Sequence, residues 1–456
     1  MRGSAVGAVI GAVALALAVP SVAVAAPDEA RYLVVLQDGV ADPAGAATDL
    51  DRQYGGETES VYGAVNGYSA AMTQAEAEAL AADPAVAYVV TDGEFARLNS
   101  EPLPVSCQQA LNPVEAQCVP EDLDRIDGEL SSTASGDGTG AVGTNIAVID
   151  TGVDRSHPDL NVVGGVDCST GTPVDSPSAF SDVIGHGTFV AGVAAARDDG
   201  LGVVGVAPGA PVYSVKVFDD ATGSASNAAI VCAADWVTQT RLDDDPANDI
   251  AVANMSIGGP GADDQQCGQA NQDVMHTAIC RSVLAGTLYV AAAGNSAADL
   301  GGVAPATYDE VLTVTAMSDY DGRPGALAGP LCYGTDLGSA GERDDAAASY
   351  SNFATTERDR LHTVAAPGTC ATGTLPGNVY AAASGTSFSA PLVSGAAALC
   401  IDTGLCPQGD PRTTGARIQA DASAANTADQ AYGFEGDPLR MVADRYYGYL
   451  VRAAAY

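Results

Sequence analysis

The chain has 456 residues, 47% of them hydrophobic and 52 of them Gly, a length for about two or three structural units with enough apolar content for a large packed core. That excludes a disordered chain. Its 57 acidic residues outnumber 19 basic ones, for a formal net charge of −38, which excludes an extended nucleic-acid partner, because such binding rests on neutralising phosphates with Lys and Arg.

The N-terminus reads as an export signal: Arg2, an apolar run from Ala5 to Val19, Pro20, then the small-residue exit Ala23-Val24-Ala25. Residues 1–25 are therefore expected to be a removed signal, and the product to be secreted and extracellular. No later stretch reaches about 18 uninterrupted apolar residues, so no membrane partner is expected. All ten cysteines, from Cys107 to Cys406, follow the signal, and an oxidising destination makes disulfides the natural inference. Cys107 with Cys118 and Cys400 with Cys406 are close enough to pair locally, but spacing does not decide the connectivity. Cys232 and Cys280 sit in helix-like apolar stretches, where buried free thiols are the alternative. No C-x-x-C pair or His-rich cluster marks a zinc site.

Residues 31–96 read as a small β-α-β-α-β unit. The strand Tyr32 to Leu36 precedes a helical stretch ending near Tyr54, and an alternating strand runs from Val61 to Met72. A capping box, Thr73 with Glu76, opens a helix through Leu80, and Val86 to Val90 is the last strand. The prolines of Asn99-Ser100-Glu101-Pro102-Leu103-Pro104 forbid a continuing helix or central strand, so a linker and cleavage region are expected there. The units are thus 1–25, 26–100 and 101–456.

From Pro120 onward strands alternate with helices. The expected strands are Asn145 to Ile149, Val212 to Val217, Ile250 to Ile257, Leu288 to Ala293 and Val311 to Ala316. The expected helices are Thr188 to Arg197, Ser224 to Thr240 and Gln272 to Ala285. Strands apolar on both faces and separated by helices indicate an α/β fold, a doubly wound, mainly parallel sheet with helices on both faces. The last 50 residues are expected at the outer edge of the same domain. In such folds ligands bind outside the carboxyl ends of the strands.

Four residues stand where that rule puts chemistry. Asp150 ends a strand, His186 lies in Gly185-His186-Gly187-Thr188 at a helix start, Asn295 follows Ala291-Ala292-Ala293-Gly294, and Ser387 lies in Ser384-Gly385-Thr386-Ser387 before an apolar helix, Leu392 to Leu399. Hydrolysing an amide needs a nucleophile, a base near neutrality, a carboxylate to orient the base, and donors for the oxyanion. Ser387, His186, Asp150 and Asn295 supply those roles in turn, and the positive end of the helix behind Ser387 would favour the developing oxyanion. A glycosidase working through paired carboxylates is the rival enzyme, but no motif singles out a pair; a secreted binding scaffold is the non-enzymatic rival.

These motifs, in this chain order, resemble those of the subtilisin-like serine proteases over residues 120–456. The resemblance implies a secreted endopeptidase acting on protein or peptide substrates through an acyl-enzyme, with no cofactor for catalysis, as a monomer. Residues 31–96 look like the inhibitor-type propeptide of that family, a ferredoxin-like α+β domain that inhibits its own enzyme and is removed by self-cleavage near Arg97 to Glu101. Ser256-Ile257-Gly258-Gly259 resembles the family's substrate-pairing edge strand, and Ala292-Ala293-Gly294 the opposite pocket wall. Val303 falls where many relatives keep a glycine at the pocket floor, which implies small to medium apolar residues before the scissile bond. The segment Arg197 to Val203 resembles a calcium loop, with the side chains of Asp159 and Asp199 and the carbonyls of Leu201 and Val203 as implied ligands of a structural calcium. Phe189, where a polar or His residue is common, and a Cys-bearing insertion before Leu123 depart from the pattern.

Overall fold

The structure, a computed structural model, describes residues 29–97, 117–329 and 341–456. The expected signal, most of the expected cleavage region, Cys107 and Cys332 lie outside the described residues.

The first unit is built from β1 (Glu29–Leu36), α1 (Pro43–Tyr54), β2 (Glu57–Tyr62), β3 (Gly67–Thr73), α2 (Gln74–Leu80) and β4 (Val86–Thr91). Its sheet has the order β2-β3-β1-β4, and β1 runs antiparallel to both β3 and β4. The capping box at Thr73 and Glu76 is present at the start of α2. The single strand expected from Val61 to Met72 is instead a hairpin: a turn at residues 63–66, with Asn66 at a φ of 48°, reverses the chain between β2 and β3. Alternation decides the rest. Tyr32, Val34 and Leu36 pack under the two helices, whereas Leu33, Val35, Tyr62 and Tyr88 face the second unit. The tail of the first unit is one more strand, β5 (Glu94–Arg97).

The second unit contains α3 (Glu121–Asp124), β6 (Ile146–Asp150), β7 (Val162–Asp167), α4 (His186–Ala195), β8 (Val212–Lys216), β9 (Ala225–Ser226), α5 (Asn227–Leu242), β10 (Val252–Met255) and β11 (Ile257–Pro260). It continues with α6 (Val274–Ala285), β12 (Leu288–Ala292), β13 (Val303–Ala304), β14 (Leu312–Ser318), β15 (Ala346–Ala347), α7 (Glu357–Arg360) and β16 (Thr363–Thr369). The hairpin β17 (Ala371–Leu375) and β18 (Val379–Ala383), then α8 (Thr386–Asp402) and α9 (Pro411–Ala428), complete it. The main sheet has the order β15-β14-β12-β10-β6-β8-β7, with β16 also on β14, and its named pairings are parallel except β14 with β15.

Both faces of this sheet are covered. Ile146, Val148, Val252 and Val290 pack against residues of α4 and α8, and Ala147, Ile149, Ala253 and Tyr289 against residues of α5 and α6. Each fully buried Val or Ile is worth about 1.5–3 kcal/mol over exposure, so this doubly covered layer is the rigid platform from which the strand ends project. The expected strand Ile250 to Ile257 breaks at Ser256: β10 stays in the sheet, while β11 leaves it to pair with β5 and β13. The C-terminal residues lie deeper than an outer edge, with Tyr447, Leu450 and Val451 joining the main core. Among the described residues no helix is long and apolar enough to cross a membrane.

Cys168–Cys232, Cys267–Cys280 and Cys400–Cys406 are disulfides, and Cys118 and Cys370 are also disulfide-bonded. The free-thiol alternative for Cys232 and Cys280 is therefore wrong: each helix turns its thiol toward a cysteine in a neighbouring loop, a meeting that helix periodicity alone does not reveal.

Candidate active site

Asp150 closes β6 at the carboxyl edge of the sheet and is buried. Its Oδ1 accepts from the Thr151 N–H at 2.7 Å and lies 2.7 Å from His186 Nδ1. His186 opens α4, and the next residue must be glycine: a Cβ on Gly187 would sit 2.1 Å from the Gly152 carbonyl oxygen and 3.1 Å from Asp150 Cβ. That close approach brings the imidazole onto the carboxylate. The other ring nitrogen, Nε2, is buried without a hydrogen bond among the described residues.

Ser387 lies in the first turn of α8, whose N-cap, Gly385, has a φ of 153° open to glycine alone. The Phe388 ring stands 5.6 Å from the His186 ring and 4.5 Å from the Phe189 ring. The departure at Phe189 is thus a packing residue that joins the His-bearing and Ser-bearing helices. Asn295 follows β12, and its Oδ1 accepts from the Thr386 N–H and hydroxyl, each at 2.9 Å. Those two donors fix the carboxamide with its donor end turned away from Thr386.

The cleft beside these residues holds the chain's own β5. Arg97 pairs with Ile257 and Ala96 with Gly258, while on the other side Glu94 pairs with Ser226 and Phe95 with Ala225. Gly259 pairs with Ala304 and the next residue, Pro260, with Val303. Ala292 and Ala293 are buried at the end of β12, and a Cβ on Gly294 would lie 3.7 Å from Val303 Cγ1, so the Val303 side chain faces that wall. The first unit is anchored elsewhere on α5 and α6: Asp235 accepts from the Ala64 N–H, Arg281 Nη1 donates to the Ala64 carbonyl at 2.7 Å, and Asp92 accepts from the Ala228 N–H at 2.9 Å.

Away from the cleft, Asp159 and the loop from Arg197 to Val203 converge with residues 117–118. Asp159 Oδ2 accepts from the Val203 N–H at 3.0 Å, but its Oδ1 is buried without a hydrogen bond among the described residues. Burial pushes the Asp159 carboxyl up to about 7, and Asp199 adds to the rise. An orphaned buried carboxylate oxygen with a second carboxylate acting on it fits a hard cation. Gln117, which sequence reasoning missed, bridges the same loop, donating to the Arg197 carbonyl at 2.8 Å and accepting from the Gly200 N–H at 3.3 Å. Asp198 is not solvated as its neighbour is: it is buried and accepts from the amides of Gly136, Gly138 and Gly140.

A doubly covered parallel sheet with a carboxylate, an imidazole and a helix-borne serine at its carboxyl edge, and an inhibitory strand in the adjoining cleft, defines a serine endopeptidase made with a propeptide. The Subtilase family profile matches residues 141–434 and the Peptidase inhibitor I9 profile matches residues 31–96, and the chain belongs to the subtilase family. It is 31% identical over 379 residues to subtilisin E of Bacillus subtilis strain 168, covering 82% of this chain and 80% of that protein. It is 36% identical over 267 residues to a subtilisin of Bacillus pumilus, 58% of this chain and 78% of that one. Among solved structures, fervidolysin of Fervidobacterium pennivorans, a keratinolytic enzyme related to subtilisin, aligns over 94% of this chain with a TM-score of 0.64 at 21% identity. This chain spans 60% of that structure's length, and the likeness is one of fold.

Proposed function

We propose that Ser387 is the nucleophile of this endopeptidase, His186 its general base and acid, Asp150 the carboxylate that orients the imidazole, and Asn295 an oxyanion donor. The observation that carries the reading is the 2.7 Å contact of His186 Nδ1 with Asp150 Oδ1, on an imidazole whose ring lies against Phe388, the neighbour of Ser387. With Nδ1–H held by the carboxylate, Nε2 is the nitrogen left to take the serine proton and pass it to the leaving amine. The N-terminus of α8 and the Asn295 amide would meet the oxyanion.

Substrate adds a strand to β11 through Ile257 and Gly258, as β5 does in the precursor, with Ser256 and Gly259 flanking and Ala292, Ala293, Gly294 and Val303 lining the side-chain pocket. Val303 favours small to medium apolar side chains there. The boundaries follow: residues 1–25 an export signal, 26–100 the propeptide, 101–456 the peptidase with its Cys-bearing extension, released outside the cell as a monomer. Asp159, Asp199 and the carbonyls of Leu201 and Val203 would hold a structural calcium, whose charge would offset the buried carboxylate. Expressing the full precursor and its Ser387→Ala form in a protease-free refolding reaction tests the assignment. The parent should shed its first unit and react with an organophosphonate serine probe; the variant should do neither, and equal processing of both would refute the nucleophilic role of Ser387.

A further inference from the structure

Thr151, the residue after Asp150, is held at three of its atoms. Its N–H donates to Asp150 Oδ1 at 2.7 Å, its carbonyl accepts from Lys216 Nζ at 2.6 Å, and its hydroxyl accepts from the Gly187 N–H at 2.8 Å. The same hydroxyl donates to Asp182 Oδ1 at 2.8 Å. Asp182, itself buried, receives three more donors: the Gly185 N–H at 2.7 Å, the Thr188 N–H at 2.8 Å and the Thr188 hydroxyl at 2.6 Å.

The hydrogen inventory fixes the direction of every contact. The Thr188 hydroxyl accepts from the Asp154 N–H at 3.0 Å, so its one hydrogen is committed to Asp182, as that of Thr151 is. Four donors therefore converge on two carboxylate oxygens. A neutral amide in that place would set donor against donor. Gly185 and Thr188 bracket His186, and Gly187 follows it. Asp182 and the Thr151 hydroxyl thus grip the turn carrying the imidazole and tie it to the backbone that carries Asp150.

We propose that Asp182 is a positioning residue for the Asp150–His186 pair, acting through Thr151 and the first turn of α4 to hold the imidazole with Nδ1 on Asp150 and Nε2 toward the serine. The inference rests on the roles proposed for Asp150, His186 and Ser387. Asp182 touches no reacting atom. Its effect is on how often the base is presented correctly, and that belongs to turnover rather than to substrate binding.

Self-cleavage of the full precursor is an intramolecular turnover without a KM, so its rate reads this positioning directly. Asp182→Asn is expected to slow it by about 10- to 100-fold. The Ser387→Ala precursor carrying Asp182→Asn should keep the near-UV circular dichroism of Ser387→Ala alone, while the downfield proton resonance of His186 Nδ1–H shifts or broadens. Thr151→Val should slow cleavage as Asp182→Asn does, whereas Thr151→Ser, which keeps the hydroxyl, should restore the rate to within about threefold of the parent. The Thr151→Val and Thr151→Ser pair decides the matter where Asp182→Asn does not fold. A folded Asp182→Asn precursor that cleaves itself within about twofold of the parental rate, with the His186 resonance unmoved, overturns the proposal. So does a Thr151→Val precursor as fast as Thr151→Ser. If instead the Ser387→Ala control processes itself, the serine assignment fails, and the two failures remain distinct.

Discussion

The carbonyl of Ser387 has no donor from Pro391, four residues on in α8, because proline lacks an N–H, and it accepts instead from Ser256 Oγ at 2.7 Å. Ser256 is braced in turn: Asn254 Nδ2 donates to its hydroxyl at 2.9 Å, and Ser394 Oγ donates to Asn254 Oδ1 at 2.9 Å. A residue read from the sequence as part of the substrate edge therefore turns its side chain to the Ser387 backbone. Ser256→Ala should lower kcat by about tenfold with little change in KM. Adding Pro391→Ala, which returns an N–H to that carbonyl, should recover part of the loss. Steady-state kinetics on a peptide amide check both, and a double variant no faster than Ser256→Ala would sink the argument.

The register of β5 bears on the proposed self-cleavage. Arg97 stands opposite Ile257 and Ala96 opposite Gly258, a course running toward Ser256, whose carbonyl accepts from Ser387 Oγ at 3.3 Å. The bond cut is therefore expected just past β5, and N-terminal sequencing of the mature enzyme should begin within residues 98–101. A Cβ on Gly259 would come 2.5 Å from the Phe95 ring, so Gly259→Val should delay that cut, as a time course of precursor mass will show.

Much of the fold, and the place of the candidate site in it, was legible because the proposed chemistry sits in short runs at element ends. Asp150, His186, Asn295 and Ser387 each stand beside glycines or strand termini that mark sharp local geometry, and the hydrophobic strands between them announce a doubly covered sheet. What stayed hidden is of two kinds. β7 contains Gly164-Gly165 and β16 contains Pro367-Gly368, residues that mask a strand when pattern alone is weighed. Asp182, Thr151, Asn254 and Gln117 work through partners far along the chain, and an isolated polar residue in a loop carries no sign of the partner folding will bring. The Thr151 hydroxyl meets Asp182 across 31 positions and Gln117 meets the Arg197 carbonyl across 80.

Val303 faces Gly294 across the proposed pocket, and removing its side chain should deepen the floor. Val303→Gly should raise kcat/KM for substrates with Phe before the scissile bond, relative to Ala, by about tenfold or more, since each methylene that fits is worth about 1–3 kcal/mol. An unchanged ratio would move the pocket floor elsewhere.

Asp159 Oδ1, buried without a hydrogen bond among the described residues, predicts dependence on a hard cation. Chelating calcium from the Ser387→Ala precursor should lower its melting temperature, and restoring calcium should return it. Asp159→Asn should abolish that response. A melting temperature indifferent to chelator would remove the site.

Asp122 on α3 supplies a pH test of the fold. It is buried, its Oδ1 accepts from the Thr372 N–H at 3.4 Å, and burial pushes its carboxyl up to about 7, with Glu121 adding to the rise. An unfolded Asp titrates near about 3.9. Between those values the folded chain keeps a proton that the unfolded chain has released, so the sign is the reverse of an ion-paired carboxylate. The contribution of Asp122 to stability is greatest below about pH 4 and declines as pH rises toward about 7. Asp122→Asn is neutral throughout and escapes this decline. In the Ser387→Ala background, which prevents self-digestion, its stability relative to the parent should improve by about 1–3 kcal/mol between about pH 5 and about pH 8. Thermal melts at the two pH values read that difference directly, and a constant offset between variant and parent would mean that Asp122 takes no part in the pH dependence.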